Sequence, residues 1–142
     1  MDLTTFEKPL IMGHRGYQAR YPENTMVSFL AAVEAGAQFV ELDVTLTNDR
    51  QIVVMHDDTV DRTTDGSGRV SAYTLDALKQ LDAGKWFHPR FAGERIPTLD
   101  DVLQQVAPRA HINIEIKAHQ LTDPGLIGVI EQEVMDLVAV SY

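Results

Sequence analysis

The segment Phe39-Val40-Glu41-Leu42-Asp43-Val44 constrains this chain more than any other. Side chains alternate along a strand, so Phe39, Glu41 and Asp43 share one face while Val40, Leu42 and Val44 share the other. The run His111 to Lys117 repeats the arrangement, with Ile112, Ile114 and Ile116 on one face and Asn113, Glu115 and Lys117 on the opposite one. Strands of an open doubly wound sheet are covered by helices on both sides and read as nearly continuous apolar runs. A strand with one apolar face and one carboxylate-bearing face fits a barrel instead. Helices then pack outside, and the inner face can be wet at the C-terminal mouth, where barrel enzymes place their chemistry.

The rest of the chain alternates strands with helices, which implies an α/β fold with a mainly parallel sheet. Pro9 to Gly13 reads as a buried strand ending in a tight turn at Gly13-His14-Arg15-Gly16. A helix follows, capped by Asn24 or Thr25, with Met26, Phe29, Leu30 and Val33 on one side and Gly36 at its stop. Gln38 to Leu46 and Gln51 to His56 are the second and third strands. About four residues join them, too few for a helical crossover, so a tight bend or a truncated crossover is required. Asp57 to Pro97 reads as an irregular insertion after strand three, with a short helix from Thr74 to Gly84. Thr98 pairs with Asp101 as a capping box and opens a clearer helix that ends before Pro108. His111 to Lys117 is the fourth strand, Asp123-Pro124 opens a last helix, and Val138 to Tyr142 offers the start of a fifth strand.

Composition removes several alternatives. With 142 residues, 44% of them hydrophobic and 23% charged, the chain is sized for one globular domain, 1–142. No stretch approaches the ~18 apolar residues of a membrane span. The first nine residues lack a basic head followed by an apolar run, so no signal peptide is expected and the cytoplasm is the expected location. A net charge of -9 argues against sequence-independent nucleic-acid binding, which relies on Lys and Arg, but is compatible with a small phosphate ligand. Without Cys there is no zinc-thiolate site.

Ionisable groups recur at one end of four successive strands: His14, then Glu41 and Asp43, then His56, then Glu115 and Lys117. On parallel neighbours ~4.8 Å apart these side chains converge. Three converging carboxylates repel unless they are protonated or bridged by a cation. Oxygen-only ligands favour a hard divalent ion, Mg²⁺ or Ca²⁺, which keeps positions for water and a substrate phosphate. Two histidines beside such an ion suit general acid and general base work near neutral pH, and Arg15 and Lys117 suit phosphoryl oxygens. His88, His111 and His119 fall outside this pattern and read as surface residues, and Trp86 and Phe87 as core or lid aromatics.

Seven short motifs carry a family resemblance: Gly13-His14-Arg15-Gly16, Pro22-Glu23-Asn24-Thr25, Glu41-Leu42-Asp43-Val44, His56-Asp57, Asp61-Arg62-Thr63-Thr64-Asp65-Gly66, Ile96-Pro97-Thr98-Leu99 and Glu115-Ile116-Lys117. In identity, order and spacing they resemble the glycerophosphodiester phosphodiesterase family over residues 10–117. The resemblance implies a TIM (β/α)8 barrel with a small insertion after strand three. It also implies a Ca²⁺ or Mg²⁺ cofactor and hydrolysis of small glycerophosphodiesters to glycerol 3-phosphate and an alcohol. Carried onto this chain, it makes Glu41, Asp43 and Glu115 the metal ligands and His14 and His56 the acid–base pair. Arg15 and Lys117 become substrate contacts. Glu23 and Asn24 read as loop and helix-start residues, and Asp57 as a residue that orients His56 or starts the turn.

A complete barrel needs ~250 residues. The expectation here is therefore a partial TIM barrel, the first four to five strand–helix units. Such an open arc is expected as an active half, as a homodimer whose halves complete one another, or as a truncated, non-catalytic remnant that still binds a divalent ion or phosphodiester. A related phosphodiesterase acting on phospholipid headgroups is a further alternative.

Overall fold

The computed structural model describes residues 9–117 and 123–141. The expectations for the first eight residues, His119 and Tyr142 lie outside them.

Four strands form one sheet: β1 (Met12–Gly13), β2 (Phe39–Leu46), β3 (Ile52–Val54) and β4 (His111–Ile116). The helices are α1 (Met26–Glu34), α2 (Leu75–Leu78), α3 (Leu99–Val106) and α4 (Gly125–Ser141). β2 is the hub. It pairs in parallel with β4 along Phe39 to Val44, and in parallel with β1 at Phe39 and Val40. β3 pairs with it antiparallel, Val44 opposite Val54 and Leu46 opposite Ile52. Because β4 occupies one edge of β2 from Phe39 to Val44, where both β1 and β3 also meet β2, these two must share the other edge. β1 covers its beginning and β3 its end.

Of the two readings open for the short link before β3, the tight bend is the one the structure adopts. The four-residue link 47–50 makes a tight turn and not a crossover: Arg50 N–H donates to the Thr47 carbonyl at 3.1 Å, and Gln51 N–H donates to Thr47 Oγ1 at 2.8 Å. Arg50 takes φ +59 to close it. One correction concerns the fifth strand expected at 138–142: α4 continues through Ser141. Its start at Gly125 is held by Asp123 Oδ1, which accepts the Gly125 N–H at 2.8 Å.

The apolar face of β2 (Val40, Leu42, Val44, Leu46) is fully buried under Phe29 of α1, Leu99, Val102, Leu103 and Val106 of α3, and Ile130 and Val134 of α4. Removing each of these larger side chains from water contributes about 1.5–3 kcal/mol. The alternation of β3 divides its side chains between two cores. Ile52 and Val54 join the first, whereas Val53 and Met55 pack with Val60, Val70, Leu78, Ala83 and Ile96 in a second. The segment 57–97 is thereby fastened to the back of β3, helped by Val54 N–H donating to the Pro97 carbonyl. Trp86 and Phe87 belong to an aromatic string through Phe91 to Tyr21, which ties this segment to the loop before α1.

Local signals match the helix starts, although the helix expected from Thr74 to Gly84 stops at Leu78. Thr25 caps α1, Thr74 caps α2, and Thr98 with Asp101 forms a complete capping box on α3. The turn leaving β1 demands glycine at position 16, where φ is +84 and an added Cβ would lie 2.4 Å from Ser28 Oγ. Gly16→Ala is expected to lose about 2–4 kcal/mol, combining left-handed strain with overpacking, as read by the urea unfolding midpoint.

Among the described residues the outer edges of β1 and β4 pair with no further strand. Ile11 and Met12 are exposed along one edge, and Asn113 and Glu115 along the other.

Candidate active site

The sheet register assembles the site. Asp43 stands opposite Glu115 and Glu41 opposite Asn113, so the three carboxylates share the face turned away from the helices. One oxygen from each of Glu41, Asp43 and Glu115 lies within 4.8 Å of the others. The two histidines reach this cluster from opposite directions along one edge of β2. β1 runs up to Gly13 opposite Val40 and delivers His14 beside Glu41, with Nε2 3.8 Å from Glu41 Oε2. β3 runs back down, its Met55 N–H donating to the Asp43 carbonyl at 2.9 Å, and delivers His56 next in the chain. Each ring has a partner at Nδ1: Gln18 Nε2 lies 2.7 Å from that of His14, and Asp57 Oδ1 lies 2.8 Å from that of His56.

Asp43 is the most enclosed of the acids, only 1% exposed. Asn24 Nδ2 donates to its Oδ2 at 2.9 Å, Arg15 Nε lies 3.4 Å from the same oxygen, and Lys117 Nζ lies 3.0 Å from Oδ1. Oδ1 is nevertheless buried without a hydrogen bond of good geometry. Arg15 and Asn24 both adopt left-handed backbone conformations, φ +53 and +55, and Asn24 N–H donates to the Arg15 carbonyl. This strain aims two side chains at one carboxylate, a device common at functional sites. Glu41 accepts the Arg15 N–H at 2.9 Å. Burial pushes the Glu41 carboxyl above its ordinary value, against that hydrogen bond, and the charge of Asp43 adds to the rise. A cation would relieve this repulsion.

Oxygen-only donors and a buried carboxylate oxygen lacking a hydrogen bond fit a hard divalent ion on Glu41, Asp43 and Glu115. Lys117 is 6% exposed, with its ammonium against Glu115 and Asp43. Burial alone would make it less basic, but these two carboxylates outweigh burial and hold its pKa above the usual value.

The model of the "Glycerophosphoryl diester phosphodiesterase family" matches residues 14–137. The chain belongs to the glycerophosphoryl diester phosphodiesterase family. A glycerophosphodiester phosphodiesterase of Caldanaerobacter subterraneus subsp. tengcongensis is 49% identical over 120 residues, covering 84% of this chain and 49% of the relative. The crystal structure of a glycerophosphodiester phosphodiesterase from Agrobacterium tumefaciens superposes with a TM-score of 0.78 at 37% identity, over 89% of this chain and 53% of that one. An Oleispira antarctica phosphodiesterase in complex with the product sn-glycerol-3-phosphate superposes with a TM-score of 0.74 at 40% identity, over 77% of this chain and 44% of that one. The chain thus spans about half the length of the relatives it matches.

Of the seven residues singled out from sequence, His14 lies beside Glu41, Arg15 turns its charge onto Asp43 and Lys117 onto Asp43 and Glu115, and His56 follows Met55, which is hydrogen-bonded to Asp43. Four further residues belong to the same network. Asn24 serves Asp43 and leaves the helix cap to Thr25. Glu23 accepts from Arg15 and Arg62, and Arg62 also grips Asp57. The Pro22-Glu23-Asn24-Thr25 and Asp61-Arg62 motifs were the sequence signals for them. Among the other histidines, His88 caps a short turn through the Arg90 N–H and His111 lies against Phe39.

Hydrogen bonds from Arg62 lower the Asp57 carboxyl to about 2, beyond what burial raises and with His56 assisting. A carboxyl lowered from 3.8 in the unfolded chain stabilises the fold above that value and ceases to do so as pH falls through about 2. Asp57→Asn is therefore expected to flatten part of the acid-side stability loss between these limits. Denaturant midpoints measured across that range for both proteins would check it, and a parallel fall in both would refute it.

Proposed function

We propose that this chain carries the cation-binding and acid–base part of a (β/α)8 barrel that hydrolyses glycerophosphodiesters to glycerol 3-phosphate and an alcohol. The observation that carries the reading is the entry of His14 and His56 from opposite directions onto the Glu41–Asp43 stretch, with Glu115 alongside. Relatives named as glycerophosphodiester phosphodiesterases, one of them solved with its sn-glycerol-3-phosphate product, support the substrate class.

Glu41, Asp43 and Glu115 would hold Ca²⁺ or Mg²⁺, which supplies positive charge beside the phosphoryl oxygens. One histidine takes the proton of the attacking hydroxyl, either the glycerol 2-hydroxyl or water, as its oxygen bonds phosphorus. The other protonates the alkoxide as the bond from phosphorus to the alcohol breaks. If the glycerol hydroxyl attacks, water then opens the cyclic phosphate with the two roles exchanged. Arg15 and Lys117, whose charges lie against Asp43, would offer positive charge to a bound phosphate. The substrate is a small molecule, and no helix among the described residues is long and apolar enough to cross a membrane. On this reading residues 1–142 are an incomplete glycerophosphodiester phosphodiesterase domain, with 57–97 as an insertion within it.

Release of glycerol 3-phosphate from glycerophosphoethanolamine by the purified chain tests it. Turnover should require Ca²⁺ or Mg²⁺, cease on chelation and be lost in Glu41→Gln. Lysophospholipid offered in parallel separates the headgroup-directed alternative.

A second reading, a cation-binding module without turnover, is favoured by the exposure of Glu115 and by the edges of β1 and β4 that no further strand pairs among the described residues. Calorimetric binding of Ca²⁺ or Mg²⁺ with no product release would establish it. Light scattering during the assay shows whether activity belongs to a monomer or to a homodimer that closes the barrel.

A further inference from the structure

Arg62 is 45% exposed at its side chain, yet its guanidinium makes four hydrogen bonds to two carboxylates. Nε and one terminal nitrogen grip Asp57 at 2.8 and 2.9 Å, and the two terminal nitrogens grip Glu23 at 2.9 and 2.7 Å. Glu23 is in turn reached by Arg15 at 3.2 Å, and Asn24, the next residue, holds Asp43. One side chain therefore joins the loop leaving β3 to the loop entering α1, across 39 residues of sequence.

Ion pairs this exposed add little to stability, roughly 0–1 kcal/mol each. Geometry is what a planar fork supplies: bidentate bonds fix the plane and rotamer of each carboxylate, which a lysine cannot do. The fixed rotamer matters because Asp57 Oδ1 is the partner of His56 Nδ1 at 2.8 Å. An ionised acceptor at that distance makes Nδ1 the protonated nitrogen of the neutral ring and assigns proton exchange to Nε2. Burial would raise the Glu23 carboxyl, but Arg62 and then Arg15 outweigh burial and keep it below its ordinary range, so the anchor stays charged.

We propose that Arg62 is a positioning residue for His56, clamping Asp57 to Glu23 so that the His56 ring keeps one orientation and one tautomer. The proposal rests on the reading of His56 as an acid–base residue, but its first test does not need turnover.

Long-range ¹⁵N NMR of the imidazoles in the full chain, at mildly alkaline pH, reports which ring nitrogen carries the proton. His56→Gln identifies the signal. The native protein should show the Nδ1–H form of His56. Arg62→Ala should show a mixture shifted toward Nε2–H, as should Asp57→Asn, each spectrum being taken well below the variant's own melting temperature. Arg62→Lys, which keeps the charge without the fork, should also fail to restore the native form. A native tautomer in both Arg62 variants overturns the proposal. In turnover, Arg62→Ala and Arg62→Lys should lower kcat about 10–100-fold with KM changed less than about threefold. Unchanged kcat in these variants also overturns it. Absence of turnover in the native chain refutes the catalytic reading of His56 and leaves the tautomer to decide the role of Arg62.

Discussion

Asp43→Asn is expected to lower the unfolding free energy by about 3–5 kcal/mol, because it leaves buried cations without their counter-charge. Asp43 is the point on which three side chains from three different segments meet: Arg15 after β1, Asn24 before α1 and Lys117 after β4. Lys117 is nearly enclosed and Arg15 largely so. An amide of the same shape would keep one accepting oxygen and turn its NH2 group either toward Lys117 or toward Arg15, each of which only donates. Urea unfolding of the native chain and the variant measures the loss. Combining Asp43→Asn with Lys117→Met should recover part of it, since removing both partners of a buried pair costs less than removing one. A double variant as unstable as the sum of the single variants would show that the pair does not govern the effect.

His14→Ala and His56→Ala are each expected to reduce kcat by about 10²–10⁴-fold if these residues transfer the two protons of the reaction. The double variant should be little worse than the single ones, because groups acting as a unit are not additive. His111→Ala serves as a control. It is exposed on the first residue of β4, its ring lies against Phe39, and its loss should leave kcat unchanged. Activity retained in both His14→Ala and His56→Ala would remove the acid–base assignment, whatever the affinity for Ca²⁺ or Mg²⁺.

The parts of this fold legible in the sequence are those set by local chemistry. The two-faced pattern of β2 and β4 announced where helices pack and where carboxylates gather, and Thr25, Thr74 and Thr98 announced three helix starts. The direction of β3 was less legible. A four-residue link excludes a helical crossover, but a run such as Ile52-Val53-Val54 has the same alternation whether its partner is parallel or antiparallel. Only the turn at Thr47 and Arg50 settles it, and with it the direction from which His56 arrives. The strand expected at Val138 failed for a related reason: a short apolar run is ambiguous between strand and buried helix, and here it extends α4. The Glu23–Arg62–Asp57 clamp depends on charges that are ordinary in themselves and become partners only after the loops are brought together.

The position of Lys117 bears on the order in which this protein is made ready. Its ammonium lies among the acids in the way a permanent counter-ion would, so the chain can close around Glu41, Asp43 and Glu115 without first capturing anything from solution. Many small metal centres couple loading to folding, and stripping their ion melts them. On the proposed reading, Glu41, Asp43 and Glu115 would hold the divalent ion, and Asp43 and Glu115 would give up part of their hold on the lysine, whose charge could then serve an anion. Chelator treatment is accordingly expected to leave the native chain folded and lower its melting midpoint only slightly, whereas in Lys117→Met the midpoint should depend more strongly on added Ca²⁺ or Mg²⁺. A resident lysine would in this way let the scaffold be inherited from the sequence alone and the reactivity be switched on afterwards.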